Sequence, residues 1–243
     1  MLLLASGAAP ASAAELELAY TEEFLSNGYA NWRTLGLGAA WPVGERTSLG
    51  AAVRELQRFD LNDVDLGASA SGPLGERLVL GGEAAASPTH RFMPVASAAA
   101  QLQVDAGAGF VASTGVRWSR YVSEAASSNP VILRLGLEQY WGPFRASWTG
   151  FLTTVAGAWS ASQRASLDFF YGERGRVGVG LNMGRELESV AGGVLVVTDV
   201  LGAVVAGRQD VDADWSFVWE VGAQRQGQLY TRTGARLGIR RRF

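Results

Sequence analysis

The stretch LYTRTGARLGIRRRF, residues 229–243, sorts by parity. Leu229, Thr231, Thr233, Ala235, Leu237, Ile239 and Phe243 are apolar or threonine, broken only by Arg241. Between them stand Tyr230, Arg232, Gly234, Arg236, Gly238, Arg240 and Arg242. A period of two is the signature of a strand whose faces meet different environments. The same alternation runs through 110–118, 131–138, 176–183 and 214–223. In 110–118, Phe110, Ala112, Thr114, Val116 and Trp118 share one face, against Val111, Ser113, Gly115 and Arg117. Extended along the chain, the pattern predicts about fourteen strands, with twelve as the alternative. It is faintest over 16–24 and 78–104.

Turn signals punctuate these segments. VGERTSLG at 43–50, LGERLVLG at 74–81 and YGERGRVG at 171–178 each place Gly-Glu-Arg before an alternating segment. Further tight turns fall at Asp105–Gly107, Trp141–Pro143 and Gly207–Asp212. A spacing of roughly 30 to 37 residues fits two strands plus a longer loop, repeated. Looser connections are expected at 26–30, 59–63, 87–91, 122–129 and 185–193, with short ones near Gly157 and Gly227. Short turns at one end and longer loops at the other suit a transmembrane barrel. A soluble sandwich also alternates, but its polar face is dense in charge and threonine. Here that face is mostly Gly, Ser and Ala with isolated charges. Aromatics cluster near segment ends (Trp41, Trp118, Trp141, Phe144, Trp159, Tyr171, Trp215, Phe243), as in interfacial girdles. The expected fold is therefore all-β: a closed antiparallel transmembrane up-and-down β-barrel. Closure follows because unpaired backbone groups in hydrocarbon cost several kcal/mol each.

The start changes the compartment. MLLLASGAAPASAAELE runs apolar from Leu2 to Ala9 and then small to Ala14, which reads as a secretory signal over 1–14, leaving a single barrel domain over 15–243. The positive n-region is missing, which points to a truncated or misassigned start. Nowhere do 18 consecutive apolar residues form a transmembrane helix. The valine-rich run 194–206 reads as a strand. Composition adds little: 243 residues, 31 Gly, 8 Trp, no Cys and a formal charge of −2. Every basic residue except His90 is arginine. The near-neutral charge and the lack of any basic aromatic surface speak against nucleic acid.

If the apolar face meets lipid, the other face is the lumen. The candidate lining residues are Arg117, Arg134, Glu138, Arg164, Asp168, Asp199, Glu220, Arg232, Arg236 and Arg240. Glu17, Glu23, Asp65, Glu83, Arg54, Arg145 and Arg176 join the same balanced set. Buried charges must be paired or hydrated. Two readings stay open: a structural ladder of ion pairs filling the interior, or a narrow polar passage whose Arg232/Arg236/Arg240 row favours anions or sugar hydroxyls. No catalytic residue, metal ligand or cofactor is expected. The one histidine, His90, follows Pro88 in a loop, and no strand offers it a serine in a fixed relation. Asp210, Asp212 and Asp214 read as a solvated turn before a weak calcium site. Gly178-Val179-Gly180 precedes no helix and is no dinucleotide loop.

The closing segments narrow the reading. Asp199-Val200, Gly207-Arg208, the Trp215 strand, Gly227-Gln228-Leu229-Tyr230, Arg232, Gly234 and Leu237-Gly238-Ile239 through Arg242-Phe243 resemble the closing hairpins of YaiO-like outer-membrane barrels, most specifically over about 185–243. The resemblance implies a single bacterial outer-membrane barrel, with no established enzymatic activity or cofactor. Leu237, Ile239 and the terminal Phe243 resemble the signal read by the barrel-assembly machinery, from which Arg241 departs. The expected partners are outer-membrane lipid and lipopolysaccharide, that machinery, and polar solutes or polysaccharide. A structural or adhesive barrel with a non-conducting lumen is the alternative.

Overall fold

The computed structural model describes residues 13–44, 46–122, 127–189 and 195–243. The signal segment expected over 1–14 lies, but for its last two residues, outside them. Strands run β1 Glu15–Leu25, β2 Trp32–Pro42, β3 Ser48–Arg58, β4 Leu61–Pro73, β5 Leu78–Ala86, β6 Ala96–Gly107 and β7 Phe110–Val122. Then come β8 Ser127–Ser128, β9 Val131–Trp141, β10 Phe144–Val155, β11 Ala158–Tyr171, β12 Gly175–Ser189, β13 Leu195–Asp210, β14 Trp215–Gln226 and β15 Tyr230–Arg242. The two-residue β8 only folds back on the end of β7. The other fourteen form one antiparallel meander in which each pairs with its neighbours in the wall, and β1 pairs with β15. The ring is complete, so no barrel strand leaves an edge in hydrocarbon.

Register fixes the faces, because side chains directly opposite on paired strands share a side. Leu16, Leu18 and Tyr20 of β1 align with Leu35 and Leu37 of β2 and with Leu237 and Ile239 of β15, and all are exposed. The same row continues through Val53, Leu66, Leu80, Val116, Leu133, Leu135, Leu137, Trp148, Leu152, Leu167, Val179, Leu181, Leu201, Val205 and Val221. Such a band in water would be an aggregation surface. Around a closed barrel it is a hydrocarbon-facing belt. At the end holding the chain terminus, Trp41, Trp141, Phe144, Phe169 and Trp215 form an aromatic girdle on this outer face.

Arg241 belongs to that girdle. It faces outward, with its guanidinium 5.3 Å from the centre of the Trp215 ring and 4.7 Å from that of Phe243. A cation over aromatic faces at the interface is stabilised without entering the hydrocarbon. That accounts for the one break in the apolar row.

The Gly-Glu-Arg turns all lie at this same end. Gly44 and Gly172 take left-handed φ values of 82° and 58°, which glycine adopts without steric cost. The arginine that follows staples its turn to the next one round the rim. Arg46 donates to the Gly75 and Glu76 carbonyls at 3.4 and 3.3 Å, and Arg174 to those of Asp212 and Ala213 at 3.1 and 2.8 Å. In the 211–214 turn, the Asp212 carboxylate accepts the Asp214 and Trp215 amides, both at 2.8 Å. Those bonds hold its pKa below the usual carboxylate value.

Leu135, 60% exposed in the middle of β9, tests the outer face. Leu135→Arg is expected to destabilise the barrel by about 2–4 kcal/mol in urea unfolding from lipid vesicles. Ser69→Arg, on the inner face, should stay within about 0.5 kcal/mol of the parent.

Candidate functional site

The inner face is where the charges meet. Along the seam, Glu17 accepts Arg236 and also two nitrogens of Arg240, at 2.9 and 2.5 Å. Glu15 takes Arg240 at 3.1 Å, and Glu23 faces Arg232 at 3.4 Å. Three acids of β1 thus meet three arginines of β15 across more than two hundred residues of chain. A one-residue slip would turn the whole arginine row to lipid, so the pairs also select the register.

A second cluster lies at the terminus-bearing end of β9–β12. Asp168 accepts Arg145 Nη2 at 2.8 Å and Nε at 3.1 Å, and Arg176 stands 3.7 Å away. Glu138 approaches Arg145 at 3.5 Å and accepts the Tyr140 hydroxyl at 2.8 Å. Beside these, Arg134 of β9 donates to Gln101 at 2.9 Å and Arg117 of β7 binds Glu83, and across the ring Arg54 donates to Asp65 at 3.0 Å through Nε.

Nine of the ten lining residues expected from the sequence stand on this inner face, and the tenth is a correction. Asp199 shares the outer row of β13 with Leu201 and Val205; it is 82% exposed and lies 3.7 Å from the outward Arg185. Among the inner nine, Arg134 has only the neutral Gln101 as its partner, and Arg164 and Glu220 make no direct ion pair among the described residues. Both line a polar cavity with Glu23, Asn182, Gln224, Arg232 and Arg236. Its water-accessible space is about 40 Å³, room for two or three waters. Beyond it an amide chain runs from Asn182 through Gln224 and Gln226 to Thr198, at 3.1, 2.8 and 2.5 Å.

Sequence reasoning missed the device at the opposite end. The 87–95 connection, whose 87–91 part was expected as a loose polar loop, folds over β4 and buries Phe92. Asp63, 1% exposed, accepts the backbone amides of Arg91, Phe92 and Met93 at 2.8, 2.9 and 2.8 Å. Val64 adds a bond from its amide to Thr89 Oγ1 at 2.9 Å. The Arg58 guanidinium lies 4.2 Å from the Trp32 ring centre and 5.7 Å from that of Phe92, and Arg232 lies 5.5 Å from Trp32. Trp32 packs edge-on to Phe59 and Tyr230 at 5.3 and 5.5 Å. Strands β2, β3, β15 and the loop therefore converge on one buried aromatic–arginine plug. Asp-Val-Asp at 63–65 was the only sequence signal: two acids on one inward face, where one balances Arg54 and the other is left for backbone donors. His90 sits in the same loop, its Nδ1 3.2 Å from the Pro88 carbonyl and its backbone amide donating to Ser87 Oγ at 3.0 Å. Asp210, of the acidic turn, is 3.5 Å from Arg174 and 3.9 Å from Arg208.

The family described as "YaiO membrane beta barrel domain" matches residues 13–188. The chain belongs to this family. The match rests on β1 through nearly all of β12, whereas the closing hairpins that suggested the family lie beyond it. No curated protein sequence matches significantly. Among solved structures, the CymD monoaromatic hydrocarbon channel is similar at a TM-score of 0.68 and 9% identity, covering 95% of this chain and 88% of that one. The KdgM porin in complex with disordered oligogalacturonate is similar at 0.53 and 12%, covering 93% and 99%. Pseudomonas aeruginosa OpdQ is similar at 0.52 and 9%, covering 95% and 98%. At such identities the likeness shows the fold alone. This YaiO-family chain is a β-barrel of the bacterial outer membrane.

Two substitutions probe the inner face. Glu17→Ala leaves two seam arginines without their shared acid and is expected to cost about 2 kcal/mol, read as a lower midpoint in urea unfolding from lipid vesicles. Asp63→Ala removes the acceptor of three amides. Hydrogen exchange at Arg91, Phe92 and Met93 should accelerate by about tenfold or more while the β-wall amides hold.

Proposed function

We propose that the protein is a narrow channel for small polar solutes, closed at its loop end by the Asp63-held loop and the Arg58 plug. One observation carries this reading. Ala52, Ser69 and Glu83 point inward, as their register with Gly67, Gly50 and one another requires, yet all three are exposed. Water therefore reaches the inner wall of β3–β5, where Gly50, Gly67 and Gly81 add no side-chain bulk. In the fourteen-strand ring β3–β5 face β11–β13, whose inner side carries Arg164, Arg176 and Arg208. A solute moving between them passes small residues on one side and guanidinium groups on the other, which suits anions and hydroxyl-rich molecules such as saccharides. The buried Trp32 Nε1 donates to no acceptor among the described residues, so the plug also offers a polar group to a passing hydroxyl or water.

The rival reading, a charge-filled structural barrel, draws on the small size of the Arg164–Glu220 cavity and on the density of ion pairs. Under either reading, outer-membrane lipid and lipopolysaccharide surround the belt. The outward, exposed Leu237, Ile239 and Phe243 are the residues we assign to recognition by the barrel-assembly machinery.

Planar-bilayer recording separates the two. The channel reading expects small, steady conductance steps that grow in Asp63→Ala, shrink in Ser69→Trp, and lose anion preference in Arg236→Glu. Repeated insertions of folded protein that leave the bilayer sealed, in the parent and in Asp63→Ala alike, would establish the structural barrel.

A further inference from the structure

The outer surface carries a charge arrangement that the lumen does not explain. On the loop-end side of the belt, Arg185 of β12, Asp199 of β13 and Arg225 of β14 all face outward. Arg185 and Asp199 are opposite each other in register, and Arg225 is opposite Leu201, one outward position further along β13. Together with Val197, Thr198, Leu201, Gly227 and Gln228 they border a recess of about 510 Å³. Arg225 is exposed and makes no ion pair or hydrogen bond among the described residues. The neighbouring residues 190–194 read Val-Ala-Gly-Gly-Val and carry no carboxylate. The recess thus sets two guanidinium groups against one acid, directly above the apolar rows of Leu201, Met183 and Val221.

A guanidinium on the lipid side of a barrel needs an anion at its own depth, because the hydrocarbon supplies none and the protein here supplies only Asp199. Longer loops mark the outward end of such barrels, so this depth is the headgroup layer of the external leaflet. The Arg58–Phe92 plug and the Asp63 clamp lie on the inner side of the wall and make no demand on this face. We propose that Arg185 and Arg225 form a binding site for a phosphorylated glycolipid of the outer leaflet. One phosphate sits between the two guanidinium groups, and the acyl chains lie along Leu201, Met183 and Val221. A phosphate monoester, with its near-double charge and three acceptor oxygens, matches paired guanidinium forks better than a single carboxylate does. Asp199 lies on the rim beside Arg185, where it orients that side chain and sets the limit of the basic patch. This site is independent of conduction through the lumen.

Native mass spectrometry of the detergent-solubilised full chain, titrated with bisphosphorylated lipid A, tests it. The parent should retain one lipid A, and Arg225→Ala and Arg185→Ala should each weaken retention by about tenfold, with Arg225→Lys recovering part of the loss. Lipid A stripped of its phosphates should bind the parent no better than intact lipid A binds Arg225→Ala. Millimolar inorganic phosphate should leave the bound lipid in place. Folding of each variant is checked by the heat-dependent gel shift of the intact barrel. Equal retention by the folded Arg185→Ala/Arg225→Ala double variant and the parent would overturn the site. Full displacement by inorganic phosphate would overturn the lipid as its occupant.

Discussion

Every feature of this barrel descends from the rule that a backbone amide or carbonyl in hydrocarbon must find a protein partner. Helices meet the rule within one segment. Strands meet it only by closing a ring, so β1 and β15, at opposite ends of the chain, must find each other. The outer face of that seam is too uniform to specify the pairing: Leu16, Leu18, Leu237 and Ile239 would pack as well after a two-residue slip. The inner face is not uniform. Glu15, Glu17 and Glu23 answer Arg240, Arg236 and Arg232 at fixed offsets, so the ion pairs decide the alignment that the lipid-facing side chains leave open. Their hydration on the inner side keeps the desolvation cost below that of a sealed core, where such pairs are often no better than apolar packing.

The period of two made the wall legible, because the two environments differ as sharply as hydrocarbon and water. It placed the arginine row of β15, the rim turns and the strand number from residue types alone. What it could not place was anything set by contact between distant segments. Asp199 illustrates one failure. Charge suggested the lumen, while parity with Leu201 and Val205 put it outside. Parity was the stronger argument, since the apolar belt is only as tall as the hydrocarbon and charges beyond it are free to face either way. Asp63 illustrates the other. Nothing local distinguishes it from Asp65, yet one neutralises Arg54 and the other gathers three amides of a loop nearly thirty residues away. The family was recognised from the closing hairpins, whereas the match that shows it lies over 13–188. Hairpin rhythm is shared by the whole wall, so it signals the architecture from any part of the chain.

The charge of the inner face is unevenly spread. Most inward charges stand on β1, β9–β12 and β15. Strands β2–β6 carry fewer, Arg54, Asp63, Asp65 and Glu83 among them, and their Gly36, Gly38, Gly50, Ala52, Gly67, Ser69 and Gly81 occupy little of the lumen. Had the charges been spread evenly, paired side chains from all sides would meet at the axis and fill it. Denser on one arc, they leave more of the other to water, in keeping with the exposure of Ala52 and Ser69.

Under the channel reading, closing the lumen requires a separate device at one end, and the aromatic–arginine plug is the part that supplies it. Large rings fill the mouth, which the small residues of the β3–β5 wall could not do. Arg58 is the pivot, because its guanidinium lies over Trp32 and near Phe92 and so couples the wall to the loop. The hold on that loop is otherwise the three amides on Asp63, the Val64 amide on Thr89 Oγ1 and the Val95 amide on the Arg120 carbonyl. The Asp63 bonds and the ring contacts can be released locally while the β-ladder stays paired, because the ladder's own hydrogen bonds run between backbone groups of the wall strands. The constraint that forbids open edges in the wall therefore does not extend to the mouth.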